Sequence, residues 1–273
     1  MKKVIVLILF TCFTLFTLTG CTVNKIENIE TNYKVNYEDI NITDFNQMLE
    51  KAIDKASYSS VALMVYRNEF ITTKKSLGSG VIISKEVVDE HNFRYIVISN
   101  RHVIEFNNEI NLSKTTVNIH LSSDENNYIS ATILGYDEDV DIALLEFTTN
   151  MDLSVAEFAK NDPIKKGSIV FAYGCPYRLE YFGTATMGIV SFENRVLIDT
   201  TYGSKDEVQN VYIQHDAHIN SGNSGGGLFD IYGNLVGINT QKLTGNNNEI
   251  DGIGFAIPLD VIKTLGIYQQ YVK

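Results

Sequence analysis

The feature that most constrains this chain is a series of short apolar runs that begins after residue 60. The runs are rich in β-branched and aromatic residues and are separated by clusters of Gly, Asn and Asp, which is typical of strands joined by turns. No apolar pattern of helical length alternates with them, so a doubly wound parallel sheet is not expected. The sequence therefore predicts an all-β sandwich or barrel pair, with strands near 61–66, 79–84, 94–99, 115–121, 129–135, 140–147, 168–173, 183–192, 209–214, 226–229, 235–240 and 253–257.

Chain length favours two barrels over a single sandwich. Residues 43–273 number 231, which is large for one sheet sandwich but suits two six-stranded barrels that share one interface. The division between the barrels is expected near residues 148–163, where Asn, Asp, Thr and a proline cluster.

Two helices are expected outside the barrels. Apolar residues recur at helical spacing from Phe45 to Ala56, which predicts an amphipathic N-terminal helix. A C-terminal helix should follow Pro258, because Leu259, Ile262 and Leu265 would share one face.

The first 42 residues are typical of a secretion signal and a tether. Two lysines precede an apolar run from Val4 to Thr19, which is short for a membrane-spanning helix and fits a signal peptide over residues 1–20. The run ends in Leu-Thr-Gly-Cys21, which resembles a bacterial lipobox and predicts that Cys21 is lipidated. Residues 21–42 would then be a flexible tether, and the body would lie outside the cytoplasm, attached to the membrane. An uncleaved anchor helix is the alternative.

Net charge and cysteine content exclude several classes of function. The formal net charge of −11 argues against a nucleic-acid partner, because binding to phosphates requires a basic surface. Cys175 is the one cysteine outside the signal and the lipobox, so no intramolecular disulfide is expected. It lies in an apolar run and is interpreted as a buried structural thiol rather than a nucleophile. The histidines show no metal-ligand spacing, and no cofactor or metal is expected.

A glycine-rich segment around Ser224 is the first candidate for chemistry. Four glycines lie within residues 222–227, and such a turn can direct successive backbone N–H groups at one point. That point could hold an oxyanion, with Ser224 as the attacking hydroxyl. From the residues alone, a hairpin loop whose glycines only satisfy turn geometry explains the segment slightly better.

A histidine and an aspartate complete the candidate set. His102 directly follows the apolar run 95–99, and an imidazole can accept the proton of a serine hydroxyl near neutral pH. Asp141 begins the apolar run 142–145, where a buried carboxylate needs a partner. One histidine among five proves little by itself, and the acids that precede Asp141 are interpreted as a solvated turn.

Taken together, these segments resemble the HtrA/Deg serine proteases. The resemblance extends over residues 78–258, and its five motifs occur in order along the chain. It implies the chymotrypsin-like fold of two six-stranded antiparallel β-barrels. The motifs are Gly-Ser-Gly-Val-Ile (78–82), Ser-Asn-Arg-His-Val (99–103), Asp-Ile-Ala-Leu-Leu (141–145), Asp-Ala-His-Ile-Asn-Ser-Gly-Asn-Ser-Gly-Gly (216–226) and Gly-Ile-Gly-Phe-Ala-Ile-Pro (252–258).

The resemblance assigns catalytic roles to matching positions. Ser224 corresponds to the nucleophile, His102 to the general base and Asp141 to the acid that orients it. The N–H groups of Gly222 and Ser224 correspond to the oxyanion hole.

Substrate contacts are also implied by the resemblance. The strand containing Ile238, Asn239 and Thr240 corresponds to the one that pairs with substrate backbone. His218, six residues before Ser224, corresponds to the base of the S1 pocket, where it could make the pocket polar. Alternatively, His218 points elsewhere and the pocket is small and apolar.

The expected function is a membrane-anchored extracytoplasmic serine endopeptidase that cleaves polypeptides. Only 49 residues follow Ser224, so no PDZ domain is expected, and a homotrimer through the protease domain is compatible with the resemblance. One rival is a protease-fold lipoprotein that binds a partner and cuts nothing. Others are a latent protease that needs an activator and a glutamyl-endopeptidase-like protease.

Overall fold

A computed structural model describes residues 42–160, 164–199, 208–240, 244–245, 248–249 and 252–272. The predicted signal peptide, Cys21 and the tether up to residue 41 lie outside these residues. Strands make up most of the described chain. In chain order they are β1 Ser60–Asn68, β2 Thr73–Val87, β3 Phe93–Asn100, β4 Thr115–His120, β5 Ile129–Asp137, β6 Ile142–Thr149, β7 Ile169–Gly174, β8 Thr184–Asp199, β9 Val208–His215, β10 Gly227–Asp230, β11 Leu235–Asn239, β12 Thr244–Gly245, β13 Asn248–Glu249 and β14 Gly254–Pro258.

The strands close into two antiparallel barrels. The first has the order β1-β2-β3-β6-β5-β4, and the second has the order β10-β11-β14-β9-β8-β7. β12 and β13 form a separate two-stranded sheet. The predicted all-β, chymotrypsin-like double barrel is therefore confirmed. The first barrel ends at Thr149, and the second begins at Ile169.

Alternating side chains explain how the two barrels pack together. In β3, Tyr95 and Val97 belong to the apolar interior of the first barrel. Ile96 and Ile98 point the other way, into a cluster that also contains Phe171 and other side chains of the second barrel. Because successive strand residues face opposite sides, one strand supplies both the interior and the interface. The apolar run in β3 is continuous for this reason.

Helices lie at both ends of the described chain, as the sequence predicts. The N-terminal helix is α1 Ile42–Ser57, and Ala52 and Ala56 bury its apolar face in the interface cluster. The C-terminal segment forms two short helices, α2 Leu259–Thr264 and α3 Gly266–Tyr271, where one was expected. They are separated at Leu265, whose backbone is extended. In the described part of the chain, no helix has the length and apolarity needed to cross a bilayer.

Candidate active site

His102 and Asp141 are brought together by the pairing of β3 with β6. The strands are antiparallel with Asn100 opposite Ile142, so residues just after β3 meet the residue just before β6. His102 Nδ1 lies 2.8 Å from Asp141 Oδ2, and the His102 main-chain N–H donates to Oδ1 at 2.9 Å. Because a carboxylate only accepts, Nδ1 carries the hydrogen, and Nε2 is the nitrogen that can accept a proton.

Further contacts fix the position of Asp141. The Thr240 hydroxyl donates to Oδ2 at 2.9 Å, and the Asp141 carbonyl oxygen accepts from the Arg101 N–H at 3.1 Å and the Asn100 side-chain amide at 3.0 Å. The Asp141 side chain is only 4% exposed, so the carboxylate depends on these donors and not on water. Its φ of +62° lies in the left-handed region, which aspartate adopts more readily than most residues.

Ser224 lies in a glycine-rich turn that packs against the end of β3. We call residues 220–226 the glycine turn; it directly precedes β10 in the second barrel. A Cβ atom on Gly225 would lie 2.1 Å from Ser99 Oγ, so glycine is required for this approach. Ser99 is three residues before His102. The half-buried Ser224 therefore lies beside the strand end that carries His102, across the interface between the barrels.

The N–H groups of Gly222 and Ser224, on either side of Asn223, have no acceptor among the described residues. Gly222 has a φ of +97°, and its N–H and that of Ser224 donate no hydrogen bond within the described residues. Of the other main-chain donors in the turn, Asn223, Gly225 and Gly226 donate to carbonyl oxygens, whereas Asn220 and Ser221 at its start donate to no described residue. Two N–H groups without an acceptor in one tight turn are suited to an anionic oxygen.

A cavity of about 540 Å³ opens beside Gly222 and provides room for a ligand. Its lining is partly apolar and partly charged. The residues are Met64, Lys75, Ser76, Leu77, Glu125, Tyr177, Arg178, Leu179, Glu180, Ser221 and Gly222. A second cavity of about 700 Å³ is lined by side chains such as Phe192, Ile213 and Leu259 and contains none of the predicted site residues. Gly222 is the one predicted site residue in the lining of the smaller cavity.

The predicted substrate strand does not fit the structure at two of its three residues. Asn239 already donates its N–H to Gly226 and accepts from Gly225, and Ile238 is paired with β10 on one side and β14 on the other. Their backbone groups are used within the barrel, so they cannot pair with a substrate. The Thr240 N–H is also used within the barrel, where it donates to the Phe255 carbonyl oxygen. Thr240 differs from the other two in its side chain, because its hydroxyl donates to the Asp141 carboxylate.

The remaining predicted positions are placed as follows. His218 is exposed, and its carbonyl oxygen accepts from the Thr186 hydroxyl at 2.7 Å; a role of its ring at the base of the S1 pocket stays a prediction. Cys175 is fully buried, and burial raises the pKa of its thiol to about 12. It is a structural thiol, as the sequence predicts.

Two supporting residues were missed by the sequence. Ser79 contacts the glycine turn through both its hydroxyl and its main-chain N–H. Tyr177 has a φ of +59° and donates its N–H to Ser221 at 2.7 Å. Ser79 lies in the Gly-Ser-Gly motif at 78–80, but the motif did not indicate a function for it. No feature of the sequence points to Tyr177. Both contacts join segments about 45 to 145 residues apart, which local patterns do not encode.

Groups of three or more potential metal ligands are absent from the described residues. The described histidines outside the Asp141 pair are dispersed. His215 is fully buried, and burial lowers its pKa to about 4, so it is neutral near pH 7. The arrangement can therefore provide one serine hydroxyl, one oriented imidazole and two amide donors.

Comparisons with known proteins find relatives that are named as serine proteases. A serine protease Do-like HtrA of Lactococcus lactis subsp. cremoris (strain MG1363) is 31% identical over 264 residues, covering 87% of this chain and 60% of the relative. A protein of the same name from Bacillus subtilis (strain 168) is 34% identical over 193 residues, covering 71% of this chain and 39% of the relative. A probable periplasmic serine endoprotease DegP-like of Buchnera aphidicola subsp. Schizaphis graminum (strain Sg) is 38% identical over 198 residues, covering 72% of this chain and 36% of the relative.

The chain thus spans between about a third and 60% of the length of these relatives. Residues 78–238, which are more than half of the chain, match the family model of the trypsin-like peptidase domain. This range contains His102, Asp141 and Ser224. The chain therefore belongs to the trypsin-like peptidase domain family, among relatives named HtrA and DegP-like serine proteases.

Proposed function

We propose that this protein is a serine endopeptidase that hydrolyses peptide bonds in polypeptide substrates. The observation that carries the proposal is the 2.8 Å contact between His102 Nδ1 and Asp141 Oδ2, with the Ser224 turn packed against the same strand end. The relatives named as serine proteases support the same reaction. A complete set of nucleophile, base and orienting acid favours catalysis over simple binding.

The reaction follows from the roles of these groups. The Ser224 hydroxyl attacks the carbonyl carbon of the scissile peptide bond, and His102 Nε2 accepts the hydroxyl proton. Asp141 stabilises the resulting imidazolium through Nδ1–H. The imidazolium then donates its proton to the leaving amine as the C–N bond breaks, leaving an acyl group on Ser224. Water, deprotonated by His102, attacks the ester, and collapse of that intermediate releases the acid and restores the Ser224 hydroxyl.

The amides of Gly222 and Ser224 stabilise the tetrahedral intermediate. Both N–H groups are without a protein acceptor among the described residues, so they can donate to the oxygen that becomes negative. Each such donor contributes about 3 kcal/mol to lowering the barrier. The glycine turn therefore supplies catalysis beyond holding the nucleophile.

A fluorophosphonate probe tests the nucleophile directly, because it phosphonylates an activated serine. We expect the purified full chain to be labelled and to cleave casein, and Ser224→Ala to do neither. Ser113→Ala is the matched control, because Ser113 is exposed and its hydroxyl bonds only Asn111. Equal labelling of the wild type and Ser224→Ala would contradict the assignment. A wild type that is never labelled would favour a binding protein.

We also propose that the protein acts outside the cytoplasm and is held there by a lipid on Cys21. The lipobox-like Leu-Thr-Gly-Cys and the word periplasmic in the name of the Buchnera relative support this location. Metabolic labelling with an alkyne analogue of palmitate should mark the wild type and not Cys21→Ala. Label on both proteins would exclude Cys21 as the acceptor. A homotrimer through the protease domain is compatible with the resemblance, and light scattering of the detergent-solubilised protein would measure it.

A further inference from the structure

Ser79 binds the glycine turn at two points. Its hydroxyl donates to the Gly222 carbonyl oxygen at 2.7 Å, and its main-chain N–H donates to the Ser224 carbonyl oxygen at 2.8 Å. These two carbonyls flank the Asn223 residue that precedes the nucleophile. One residue of β2, in the first barrel, therefore fixes two peptide units of a turn that belongs to the second barrel.

The orientation of every peptide in the turn is fixed by hydrogen bonds. Because a trans peptide directs its C=O and N–H in opposite directions, holding a carbonyl also aims the N–H of the next residue. The carbonyl of Ser221 accepts from Tyr177 at 2.7 Å, which directs the Gly222 N–H to the opposite side. The carbonyl of Asn223 accepts from Gly226 at 3.0 Å, which does the same for the Ser224 N–H.

Ser79 holds the Gly222–Asn223 peptide, which lies between these two amides, and the Ser224–Gly225 peptide, which follows them. Replacing Ser79 with alanine removes the bond from its hydroxyl to the Gly222 carbonyl oxygen and keeps the main-chain bond to Ser224. The Gly222–Asn223 peptide is then held only from within the turn, where the Asn223 N–H donates to the Asn220 carbonyl oxygen at 2.9 Å. Rotation of the Gly222–Asn223 peptide changes the backbone angles on both sides of it. The Gly222 N–H would then lose its alignment with the Ser224 N–H, although neither group bonds Ser79 itself.

The hydroxyl of Ser79 has a single hydrogen-bonding arrangement. The side chain is almost completely buried, and its Oγ accepts from the Cys175 N–H at 2.9 Å. Since that N–H can only donate and the Gly222 carbonyl can only accept, the hydroxyl hydrogen must point at Gly222. The Ser79 carbonyl in turn accepts from the Ser99 hydroxyl at 2.7 Å, which ties it to the strand that leads to His102.

We propose that Ser79 is a positioning residue that pre-assembles the oxyanion-binding amides of Gly222 and Ser224. This inference rests on the proposed function, because it concerns the same reaction. It goes further in assigning a residue outside the predicted triad to the chemical step.

The test compares rates of fluorophosphonate labelling in the wild type and in Ser79→Ala, using the full chain at saturating probe. Labelling passes through a transition state whose phosphoryl oxygen occupies the oxyanion site. We expect the limiting rate to fall about 10- to 100-fold in Ser79→Ala, because a misplaced donor loses part of the 10²–10³-fold effect of one oxyanion-hole donor. The probe concentration at half-maximal rate should change less than twofold.

Ser60→Ala is the matched control for the loss of a buried hydroxyl. Ser60 lies in β1 of the same barrel, is buried, and donates to the Ala56 carbonyl at 2.8 Å, away from the glycine turn. Thermal melting should show that both variants fold, and Ser60→Ala should label at the wild-type rate. A structural role alone would lower the melting temperature of Ser79→Ala without changing its limiting rate, and that result overturns the proposal.

Two further outcomes separate this inference from the proposed function. If the wild type is not labelled at all, the proposed function fails, and the positioning role fails with it. If the wild type is labelled and Ser79→Ala reacts equally fast, only the positioning role fails. Should Ser79→Ala not fold, Ser79→Cys replaces it, since a thiol is a weaker donor at the same place. Its limiting rate should fall at least threefold, and a wild-type rate refutes the proposal.

Discussion

Replacing Thr240 with valine tests how Asp141 is held. The carboxylate accepts three hydrogen bonds, from the His102 N–H, from His102 Nδ1 and from the Thr240 hydroxyl at 2.9 Å. Valine has the same shape as threonine but no donor, and the Asp141 side chain is too buried for water to replace the hydroxyl. Losing a hydrogen bond to a charged group costs about 1.5–3 kcal/mol. If most of that cost falls on the transition state, kcat/KM drops about 10- to 100-fold.

The measurement is kcat and KM on a peptide identified from casein digestion. The loss should lie in kcat, because Thr240 acts on the imidazolium that forms during the reaction and not on substrate binding. Thr240→Ser keeps the hydroxyl and should retain activity within about threefold of wild type. Thr264→Val is the control, since it removes a similar hydroxyl that bonds only the Val261 carbonyl in α2. Wild-type kcat in Thr240→Val would refute the argument that this hydroxyl supports Asp141.

Three further predictions concern Gly222, His215 and Cys175. Gly222→Ala places a Cβ atom 2.3 Å from the Cys175 carbonyl oxygen at a φ of +97°, and this variant should not cleave casein. Gly167→Ala is the control, because Gly167 has a similar φ of +87° but nothing within 4 Å of a Cβ atom, and it should stay active. Casein cleavage by Gly222→Ala would contradict the prediction. Burial lowers the His215 pKa from 6.5 to about 4, so the unfolded chain binds a proton there between these pH values and the folded chain does not. The free energy of unfolding, measured by urea denaturation, should therefore fall as the pH is lowered from 7 to 4.5. This fall should be about 2–3 kcal/mol larger in the wild type than in His215→Gln. An equal fall in both proteins would contradict the prediction. Cys175, with its thiol pKa raised to about 12, should resist iodoacetamide at pH 8 in the folded protein and react in guanidinium, as followed by mass spectrometry; rapid alkylation of the folded protein would oppose this.

Local patterns in the sequence were sufficient for the strands and for the class of fold. Each predicted run coincides with an observed strand to within a few residues in most cases, and β8 extends seven residues beyond its predicted end. Such patterns are informative because an apolar, β-branched run has few ways to bury itself other than a sheet. The C-terminal segment was predicted less well. Helical spacing from Leu259 to Leu265 does not reveal the extended backbone at Leu265, beside Gly266, that divides it.

By itself, then, the sequence determined the two-barrel fold and, through ordered motifs that resemble a family, the candidate residues His102, Asp141 and Ser224. Tertiary structure alone decided which groups support them. Ile238 and Asn239 turned out to be paired inside the second barrel, and Thr240 to hold the carboxylate. The reason is that a strand's pattern encodes its own period, whereas hydrogen bonds between distant segments depend on how strands register and how the barrels pack.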